Sequence, residues 1–266
     1  MGGAATKKEA LCDLLRSSAP LLIAYSGGVD SAFLLAVAAE TVGERCLGVI
    51  ADSPSLPRQA LAGALELARR LGAKVEIMPT AEMQDANYTS NPVNRCYFCK
   101  AELFMKLEAR ALERGFRTLA YGENADDARQ VRPGREAAAK FKVRAPLREV
   151  GLTKSEIRLL SRAMNLPTAD APAQPCLSSR IPHGTPVTVA ALGMIERAEA
   201  AVRGFGFRVF RVRHHGEGDR CRARLEIAPN ELPDLESVGD ALRGTLQRVG
   251  YDEVVIDSRG YRSPVA

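Results

Sequence analysis

A glycine-rich string, Ser26-Gly27-Gly28-Val29-Asp30-Ser31, is the first place where residue types and spacing suggest chemistry. Glycines let a backbone fold closely around an anion, and a helix that begins there directs its N–H groups and positive dipole end toward that anion. Residues 21–25 predict a buried strand and residues 31–40 predict a helix, so the string predicts a phosphate-binding loop. It lacks the Gly-Lys-Ser/Thr of the Walker pattern, so simple γ-phosphate transfer is not indicated. A glycine-rich turn without function is the alternative.

The cysteines form a second group. Six in 266 residues are too few for a disulfide framework, and in a reducing compartment they would be structural, catalytic or metal-binding. Cys96 and Cys99 have C-x-x-C spacing, which suits a shared metal, a cluster or a redox pair. A structural zinc site needs four ligands, and no Cys or His that would complete such a set stands beside these two, which disfavours zinc. Three cysteines are predicted to be structural: Cys12, Cys46 and Cys221.

Arginines near the C-terminus form a third group. Arg211 and Arg213 are two residues apart on a predicted strand and therefore share a face. Arg222, Arg224 and Glu226 share a face of the next strand in the same way. The guanidinium fork suits a nucleotide phosphate. Taken alone, the pattern also fits a solvated sheet face.

Strands and helices alternate through the first half of the chain, which predicts an α/β fold with an open, doubly wound parallel sheet. Ligands of such folds bind at the carboxyl ends of the strands. The predicted strands span residues 21–25, 46–51, 74–78 and 118–121. The predicted helices span residues 7–17, 31–40, 58–71 and 101–114.

The pattern changes in the second half. Thr153-Lys154-Ser155-Glu156 is a capping box that begins a helix ending near residue 164, and residues 166–185 predict a loop. Helix, strand, strand, helix and strand follow, at about 187–203, 207–213, 221–227, 231–247 and 253–256. We therefore expect two domains, residues 1–185 and a smaller α+β domain at residues 186–266.

Composition excludes several classes of protein. The net charge of +5 is mild, and no run of five basic residues is present, so charge does not demand a nucleic-acid partner. No stretch approaches the roughly 18 apolar residues of a membrane helix, and the N-terminus has no apolar core of signal-peptide type. We expect a cytoplasmic enzyme with no membrane partner.

The string SGGVDS resembles the PP-loop of the N-type ATP pyrophosphatases, whose fold is the adenine nucleotide alpha hydrolase-like α/β fold. The resemblance implies that ATP and Mg²⁺ bind, that a substrate oxygen is adenylated and that pyrophosphate leaves. It implies that Gly27 and Gly28 shape the loop, that Asp30 positions Mg²⁺ and pyrophosphate, and that Ser26 and Ser31 contact phosphate.

Further strings resemble one branch of that superfamily, the LarE family of ATP-dependent sacrificial sulfur transferases in nickel-pincer nucleotide cofactor synthesis. They are residues 51–58 (ADSPSLPR), 94–100 (NRCYFCK), 121–127 (YGENADD), 132–134 (RPG), 145–147 (APL) and 175–180 (PCLSSR). The resemblance implies adenylation of a carboxylate of pyridinium-3,5-biscarboxylic acid mononucleotide, followed by sulfur insertion to form a thiocarboxylate. It covers nearly the whole chain and implies a homo-oligomer.

The same resemblance assigns the site. Cys176 of the CLSSR motif is the expected nucleophile, and Arg180 nearby in sequence would favour its thiolate. The expected ATP-binding residues outside the PP-loop are Asp52, Arg58, Asn124 and Asp127. The expected substrate-binding residues are Ser179, Arg180, Arg211, Arg213 and Glu226.

The source of the sulfur has two alternatives. In the simplest members of the family the nucleophilic cysteine gives up its own sulfur and becomes dehydroalanine. Some sulfur transferases of the superfamily instead hold a [4Fe-4S] cluster on three cysteines, and Cys96, Cys99 and Cys176 provide that number. We expect the cluster, with Cys176 as a ligand.

Two other enzyme classes use the same loop. A tRNA thiolation enzyme would be expected to carry an added basic RNA-binding segment, which is not evident. An ammonia-dependent amide synthetase would leave Cys176 without a role. A non-enzymatic nucleotide-binding module would leave both the PP-loop and the cysteines without one.

Overall fold

The computed structural model describes residues 2–129, 133–217 and 220–261 of the chain. The chain divides into two compact units. The first comprises Met1–Glu82 and Asn94–Gln174, and the second comprises Met83–Val93 and Pro175–Ala266. The sequence predicts a boundary near residue 185, whereas the second unit also takes in residues 175–185 and the separate segment Met83–Val93.

The first unit alternates strands and helices. Its elements are, in chain order, α1 (Gly2–Ser18), β1 (Leu21–Ala24), α2 (Val29–Val42), β2 (Cys46–Asp52), α3 (Arg58–Arg70), β3 (Val75–Pro79), α5 (Arg95–Arg114), β4 (Thr118–Tyr121), α6 (Pro133–Lys140), α7 (Pro146–Glu149) and α8 (Lys154–Ala163). One short helix between β3 and α5, α4 (Ala86–Thr89), belongs to the second unit.

The first unit contains a parallel four-stranded sheet in the order β3-β2-β1-β4. The chain moves outward from β1 through β2 to β3 and then returns to place β4 on the other side of β1. This reversal is a topological switch point, which is where ligands of such folds bind. The predicted α/β class and the parallel sheet flanked by helices are confirmed.

Helices cover both faces of this sheet. Leu21 and Ile23 of β1 pack into one apolar cluster with α1, α2 and α8, while Leu22 between them packs into a second cluster with α5 and α6. Successive strand side chains point to opposite faces, so an apolar run such as Leu21–Ala24 is what a strand buried on both sides requires. The core thereby fixes β1 and the loop that follows it.

The second unit contains a three-stranded sheet in the order β5-β6-β7, formed by β5 (Phe210–Glu217), β6 (Arg220–Ile227) and β7 (Glu253–Ile256). β5 and β6 are antiparallel, and β6 and β7 are parallel. Helices α9 (Val189–Gly204) and α10 (Leu235–Val249) pack on its apolar face. The alternate residues of β5 and β6 therefore place their arginines on the other face.

One asparagine explains why Met83–Val93 belongs to the second unit. Asn91 is fully buried, has a positive φ of 57°, and donates from its side-chain amide to the carbonyl oxygens of Pro182 (2.7 Å) and Thr185 (2.8 Å). Tyr88 is also buried, and its hydroxyl is 2.7 Å from that of Ser178. Segments distant in sequence are thereby joined, which local patterns in the sequence do not reveal.

The helix bounds differ most from prediction at α5. The sequence predicts a helix over residues 101–114, but α5 begins at Arg95, so Cys96 and Cys99 lie in its first turns. Aromatic residues and cysteine have only modest helix propensity, and this concealed the true beginning of α5.

Among the described residues, no helix is long and apolar enough to cross a bilayer.

Candidate functional site

The predicted phosphate loop connects the end of β1 to the first turn of α2. Gly28 is the N-cap residue, with extended backbone angles, and the Ala32 N–H donates to its carbonyl oxygen at 2.8 Å. The N–H groups before Ala32 have no acceptor within the helix, because the first turn of an α-helix leaves them unused. They are oriented as an anion site requires, and the helix dipole adds positive potential.

Two glycines allow the loop to pack closely. Gly27 has a φ of +74°, and a Cβ placed there would lie 2.7 Å from the Cβ of Ala64 on α3. Gly122 follows β4, and a Cβ there would lie 2.7 Å from the backbone nitrogen of Ser31. Both contacts are shorter than carbon permits, so these positions require glycine. The loop after β4 therefore packs directly on the first turn of α2, at the switch point.

The serine hydroxyls of the loop hold each other. The hydroxyl of Ser31 is 3.0 Å from that of Ser26, and it also donates to the carbonyl oxygen of Gly28 at 3.1 Å. The Ser26 N–H donates to the same Ser31 oxygen. These contacts shape the loop from within, and the prediction that both hydroxyls contact phosphate remains untested.

Asp30 lies in the first turn of α2 and is the meeting point of three loops. The ammonium group of Lys154, the first residue of α8, is 2.9 and 2.8 Å from its two carboxylate oxygens. The side-chain amide of Asn124 donates to it at 3.3 Å. Asn124 in turn accepts hydrogen bonds from the backbone N–H groups of Asp126 and Asp127. The structure thus brings together Asp30, Asn124 and Asp127, which the sequence placed in the ATP site, and adds Lys154.

Lys154 is the residue that the sequence reasoning missed. Its signal was the capping box, which is present: Thr153 accepts from the backbone of Glu156, and Glu156 accepts from the backbone of Thr153. That pattern describes only local helix capping. A lysine at the first position of a helix whose N-terminus reaches the switch point could have suggested a role with anions, but its partner Asp30 is 124 positions away.

Asp52 and Arg58 form the other predicted ATP-binding pair. Asp52 ends β2 and Arg58 begins α3, and a guanidinium nitrogen of Arg58 lies 2.6 Å from a carboxylate oxygen of Asp52. Arg58 also donates to the carbonyl oxygens of Ser53 and Leu56 at 2.8 Å. The pair holds the loop after β2 in shape, at the carboxyl edge of the sheet.

A buried carboxylate organises the loop after β4. Glu123 accepts hydrogen bonds from the hydroxyl of Tyr121 and from Arg135 (2.8 Å) and Arg148 (2.9 Å). Burial raises the pKa of Glu123, but these hydrogen bonds and the two guanidinium charges outweigh it, so the pKa lies below its ordinary value. Glu123 is therefore charged at neutral pH and fixes the turn that carries Asn124 and Asp127. Arg132, part of the resembling RPG string, lies outside the described residues.

Cys96 and Cys99 lie three residues apart in the first turns of α5, so they share one side of the helix. Cys96 is exposed and Cys99 is partly buried, and none of the six cysteines forms a disulfide. Cys46 behaves as predicted for a structural cysteine: burial raises the pKa of its thiol to about 12. A thiol with that pKa is protonated and unreactive at neutral pH.

In the second unit, Arg180 anchors the loop that carries Cys176. Its guanidinium group is buried and makes two parallel hydrogen bonds to Glu199 of α9, at 2.9 and 3.0 Å. The remaining nitrogen donates to the carbonyl oxygens of Pro175 (2.6 Å) and Cys176 (3.1 Å) and to the hydroxyl of Ser179. Arg180 thus positions the backbone beside Cys176, whose side chain is exposed.

The arginine face of β5 and β6 lies against this same loop. Arg213 donates to the carbonyl oxygen of Ser179 and to Glu226, each at 3.0 Å. Glu226 also accepts from Arg224 at 2.8 Å. Four predicted substrate-binding residues are therefore connected to the Cys176 loop or to each other through short contacts: Ser179, Arg180, Arg213 and Glu226.

Arg211 completes the predicted set and is also buried. It lies opposite Glu226 in the register of β5 and β6. Its guanidinium carbon lies 4.7 Å from the ring centre of Tyr261. Burial lowers the pKa of Arg211, and the charge of Arg180 lowers it further. Crowded, partly desolvated guanidinium groups are unfavourable alone and become favourable when an anion lies among them.

Metal binding is constrained by the available donors. Among the described residues, no group of three or more His, Cys, Asp and Glu side chains is arranged to hold a metal ion. Asp30 nevertheless fits Mg²⁺, which commonly binds through one or two carboxylates together with substrate phosphates. Cys96 and Cys99 fit two positions of a thiolate cluster, and Cys176 belongs to the other unit. The [4Fe-4S] cluster remains a prediction.

The chain combines a parallel α/β sheet with a glycine-rich loop at its switch point, an arrangement consistent with the PP-loop fold class. No model of a known protein family matches the chain. It is 41% identical over 245 residues to the uncharacterized protein slr1717 of Synechocystis, covering 91% of this chain and 90% of that one. It is 29% identical over 264 residues to the pyridinium-3,5-bisthiocarboxylic acid mononucleotide synthase of Lactiplantibacillus plantarum, covering 99% and 94%.

A third relative, the uncharacterized protein MJ0830 of Methanocaldococcus jannaschii, is 24% identical over 243 residues. The chain belongs to the family of slr1717, and its similarity along nearly its whole length to the Lactiplantibacillus synthase supports LarE as that family.

Proposed function

We propose that the protein is an ATP-dependent sulfur transferase that acts on pyridinium-3,5-biscarboxylic acid mononucleotide. The observation that carries the proposal is the full-length similarity to a synthase of the corresponding bisthiocarboxylic acid mononucleotide. Two residue sets, one in each unit, supply the two chemistries that such a reaction needs.

The first chemistry is adenylation. A substrate carboxylate oxygen attacks the α-phosphorus of ATP, and the bond to the β-phosphate bridging oxygen breaks, releasing pyrophosphate. The N–H groups at the beginning of α2 bind the departing phosphates. Lys154 offsets the phosphate charge once Asp30 binds a metal ion instead of Lys154. Mg²⁺ held by Asp30 would supply further charge neutralisation.

The second chemistry is sulfur transfer. In the sacrificial alternative, the Cys176 thiolate attacks the acyl adenylate carbon, and AMP leaves with its bonding electrons, giving a thioester. A base removes the Cα proton of Cys176, and the Cβ–S bond breaks, leaving dehydroalanine and a substrate thiocarboxylate. Arg180 and Arg213 hold the backbone on both sides of Cys176 and so present its side chain to the substrate.

A [4Fe-4S] cluster on Cys96, Cys99 and Cys176 would supply sulfur without consuming the protein, and this is the form we propose. Anaerobic purification followed by iron and sulfide analysis tests it, together with the mass of the Cys176 peptide after turnover. Absence of iron after anaerobic reconstitution, with Cys176 converted to dehydroalanine, would instead establish the sacrificial form.

Two variants test the division of labour. Asp30→Ala should abolish pyrophosphate release, whereas Cys176→Ala should release pyrophosphate at near the native rate and form no thiocarboxylate. Pyrophosphate is measured by a coupled assay and thiocarboxylate by mass spectrometry. Sulfur transfer by Cys176→Ala would contradict the assignment. Copurification of tRNA, with thiolated nucleoside as the product, would replace the proposed substrate by tRNA.

A further inference from the structure

We propose that His215 and Arg224 form a second anion subsite on the arginine face of β5 and β6, one that holds the carboxylate not being activated. The inference rests on the proposed function and names two recognition residues for that substrate. It begins with the arrangement of the strands.

The two residues lie on the same sheet face as Arg213, which contacts the Cys176 loop: Arg224 lies opposite Arg213, and His215 lies one pair beyond it. Arg213 is opposite Arg224, and His215 is opposite Arg222, in the antiparallel register of β5 and β6. His215 and Arg224 are therefore diagonal neighbours, close enough for long side chains to meet. His215 lies four positions after Arg211, which is about 13 Å along an extended strand.

Each side chain has a buried polar atom without a hydrogen-bond partner in the part of the chain that the structure describes. His215 Nε2 and Arg224 Nε are shielded from solvent and make no hydrogen bond among the described residues. Another nitrogen of Arg224 donates to Glu226, but Nε comes no closer than 3.9 Å to a carboxylate oxygen of Asp257. Buried polar atoms are almost always paired, so two such donors on one face indicate a missing acceptor.

The local charge indicates an anionic acceptor. Burial lowers the pKa of His215, and the charges of Arg224 and Arg222 lower it further, against an opposing effect of Glu226. The imidazole is therefore neutral at pH 7 and sits in a positive field. A carboxylate there would accept a hydrogen bond from Arg224 Nε. It would accept a second from His215 Nε2 when the neutral imidazole carries its proton on that nitrogen.

The spacing matches a ligand with separated anionic groups. A mononucleotide of a pyridine dicarboxylate has a phosphate at one end and two carboxylates on the ring. With the phosphate near Arg211, the strand extends past the Arg213–Arg224 pair toward His215, and the unactivated carboxylate can bind between Arg224 and His215. Such a subsite distinguishes a ring that carries carboxylates from one that carries only a neutral amide, because the amide gives these donors no negative charge to pair with.

Histidine NMR gives a readout independent of catalysis. The chain has three histidines, so the imidazole spectrum is simple, and a His215→Gln variant assigns the relevant signals. The full-length protein is titrated with pyridinium-3,5-biscarboxylic acid mononucleotide and, separately, with nicotinamide mononucleotide, which has no ring carboxylate. We expect the dicarboxylate alone to shift the His215 signals and to bind about tenfold more tightly.

Two variants test the subsite. In Arg224→Gln the preference for the dicarboxylate should fall to nearly one, while the affinity for nicotinamide mononucleotide stays within about twofold. Arg222→Gln is the matched control: it removes the same charge from the same strand and face, and its nearest acid, Glu253, is 3.9 Å away. Unchanged preference in Arg224→Gln, with His215 signals that do not move, would overturn the subsite and leave the proposed function intact.

Failure of the proposed function has a different signature. If neither mononucleotide binds to the native protein, the substrate assignment is wrong. Pyridine-3,5-dicarboxylate alone then decides the subsite: shifted His215 signals that Arg224→Gln abolishes support it, and unshifted signals overturn it. Circular dichroism of each variant establishes that the fold is retained.

Discussion

The candidate sites of the two units are built from different materials. At the PP-loop, the candidate anion-binding groups are backbone N–H donors, and glycines at positions 27 and 122 allow the chain to pack tightly around them. In the second unit, the candidate donors are guanidinium groups held by carboxylates: Glu199 of α9 holds Arg180 of the Cys176 loop, and Glu226 holds Arg213 on the β5–β6 face. Backbone donors are fixed by the fold at no cost in side-chain entropy, whereas arginines need carboxylate partners to hold them.

This difference teaches where each site is vulnerable. The PP-loop should be sensitive to added volume, because its shape comes from close packing. The arginine groups of the second unit should be sensitive to lost charge, because Arg180 compensates the buried carboxylate of Glu199 and Arg213 compensates that of Glu226. Substitutions of each kind, made in both units, sharpen or break the comparison.

The largest effect is expected at the buried pair of the second unit. Arg180→Met leaves Glu199 charged and unpaired in the interior, which should destabilise that unit by roughly 3–5 kcal/mol. Amide hydrogen exchange measures this locally: the Val212 N–H, which donates to Glu199, should exchange much faster. The Tyr25 N–H in the first unit, bonded to Val49, should keep its protection.

The double variant Arg180→Met/Glu199→Gln supplies the control, because it removes both charges and keeps an acceptor for Val212. It should recover much of the lost protection. Equal loss in the single and double variants would show that the packing of Arg180, and not its charge, stabilises the loop.

The next effect is expected from added volume at the switch point. The Cβ of Gly122→Ala would press on the Ser31 backbone and displace the first turn of α2, lowering pyrophosphate release about a hundredfold. Gly63→Ala is the matched control, because a Cβ at this position on α3 meets nothing within 4 Å. A Gly122→Ala enzyme with native kinetics would contradict the close-packing account of the PP-loop.

Lys154 is a cationic side chain that joins α8 to Asp30 of the PP-loop. Lys154→Met should lower kcat/KM for ATP about tenfold, since it removes a positive charge from the phosphate site while the backbone donors remain. Lys8→Met removes the same charge from α1, where the lysine pairs only loosely with Glu40 at 3.6 Å. Its kinetics should stay native, and an equal loss in both variants would indicate a general charge effect.

The smallest effect is expected at Glu123. This residue is an exception to the comparison between the two units, since it is a carboxylate held by arginines within the first unit. Glu123→Gln should destabilise the first unit by about 1–2 kcal/mol, because Arg135 and Arg148 lose their counter-charge. The folded pKa of Glu123 is below the ordinary value of 4.5, so its contribution is present above that pH.

That contribution should disappear as the pH falls below about 4.5 and through the folded pKa, because the native carboxylate then becomes protonated. Urea titrations of native and Glu123→Gln proteins at several pH values measure the difference. A difference that persists unchanged at pH 2 would show that the charge of Glu123 is not its cause.

Local sequence patterns were sufficient for the PP-loop and its sheet. The apolar run Leu21–Ala24, the glycines after it and the helix that follows are contiguous, so their geometry is encoded in one short segment. The capping box of α8 is present for the same reason. The alternation of apolar and basic residues likewise revealed the arginine face of β5 and β6.

Contacts between distant segments could not be predicted. Lys154 meets Asp30, and Arg180 meets Glu199, through the fold and not through spacing in sequence. Arg180 was expected to act on the Cys176 thiol, whereas the structure shows it contacting the Cys176 carbonyl oxygen. The predicted roles of Cys176 and of the C-x-x-C pair depend on ligands and on chemistry, which neither pattern nor fold reveals.

The segment Met83–Val93 has a consequence for how the protein can be made and divided. The chain passes between the two units three times, after Glu82, after Val93 and after Gln174. During synthesis, Asn91 leaves the ribosome long before Thr185, so the second unit stays incomplete until most of the chain has been translated. A C-terminal fragment starting at Pro175 would lack Asn91 and Tyr88, and we expect it to need a linker-joined copy of residues 83–93 to be stable.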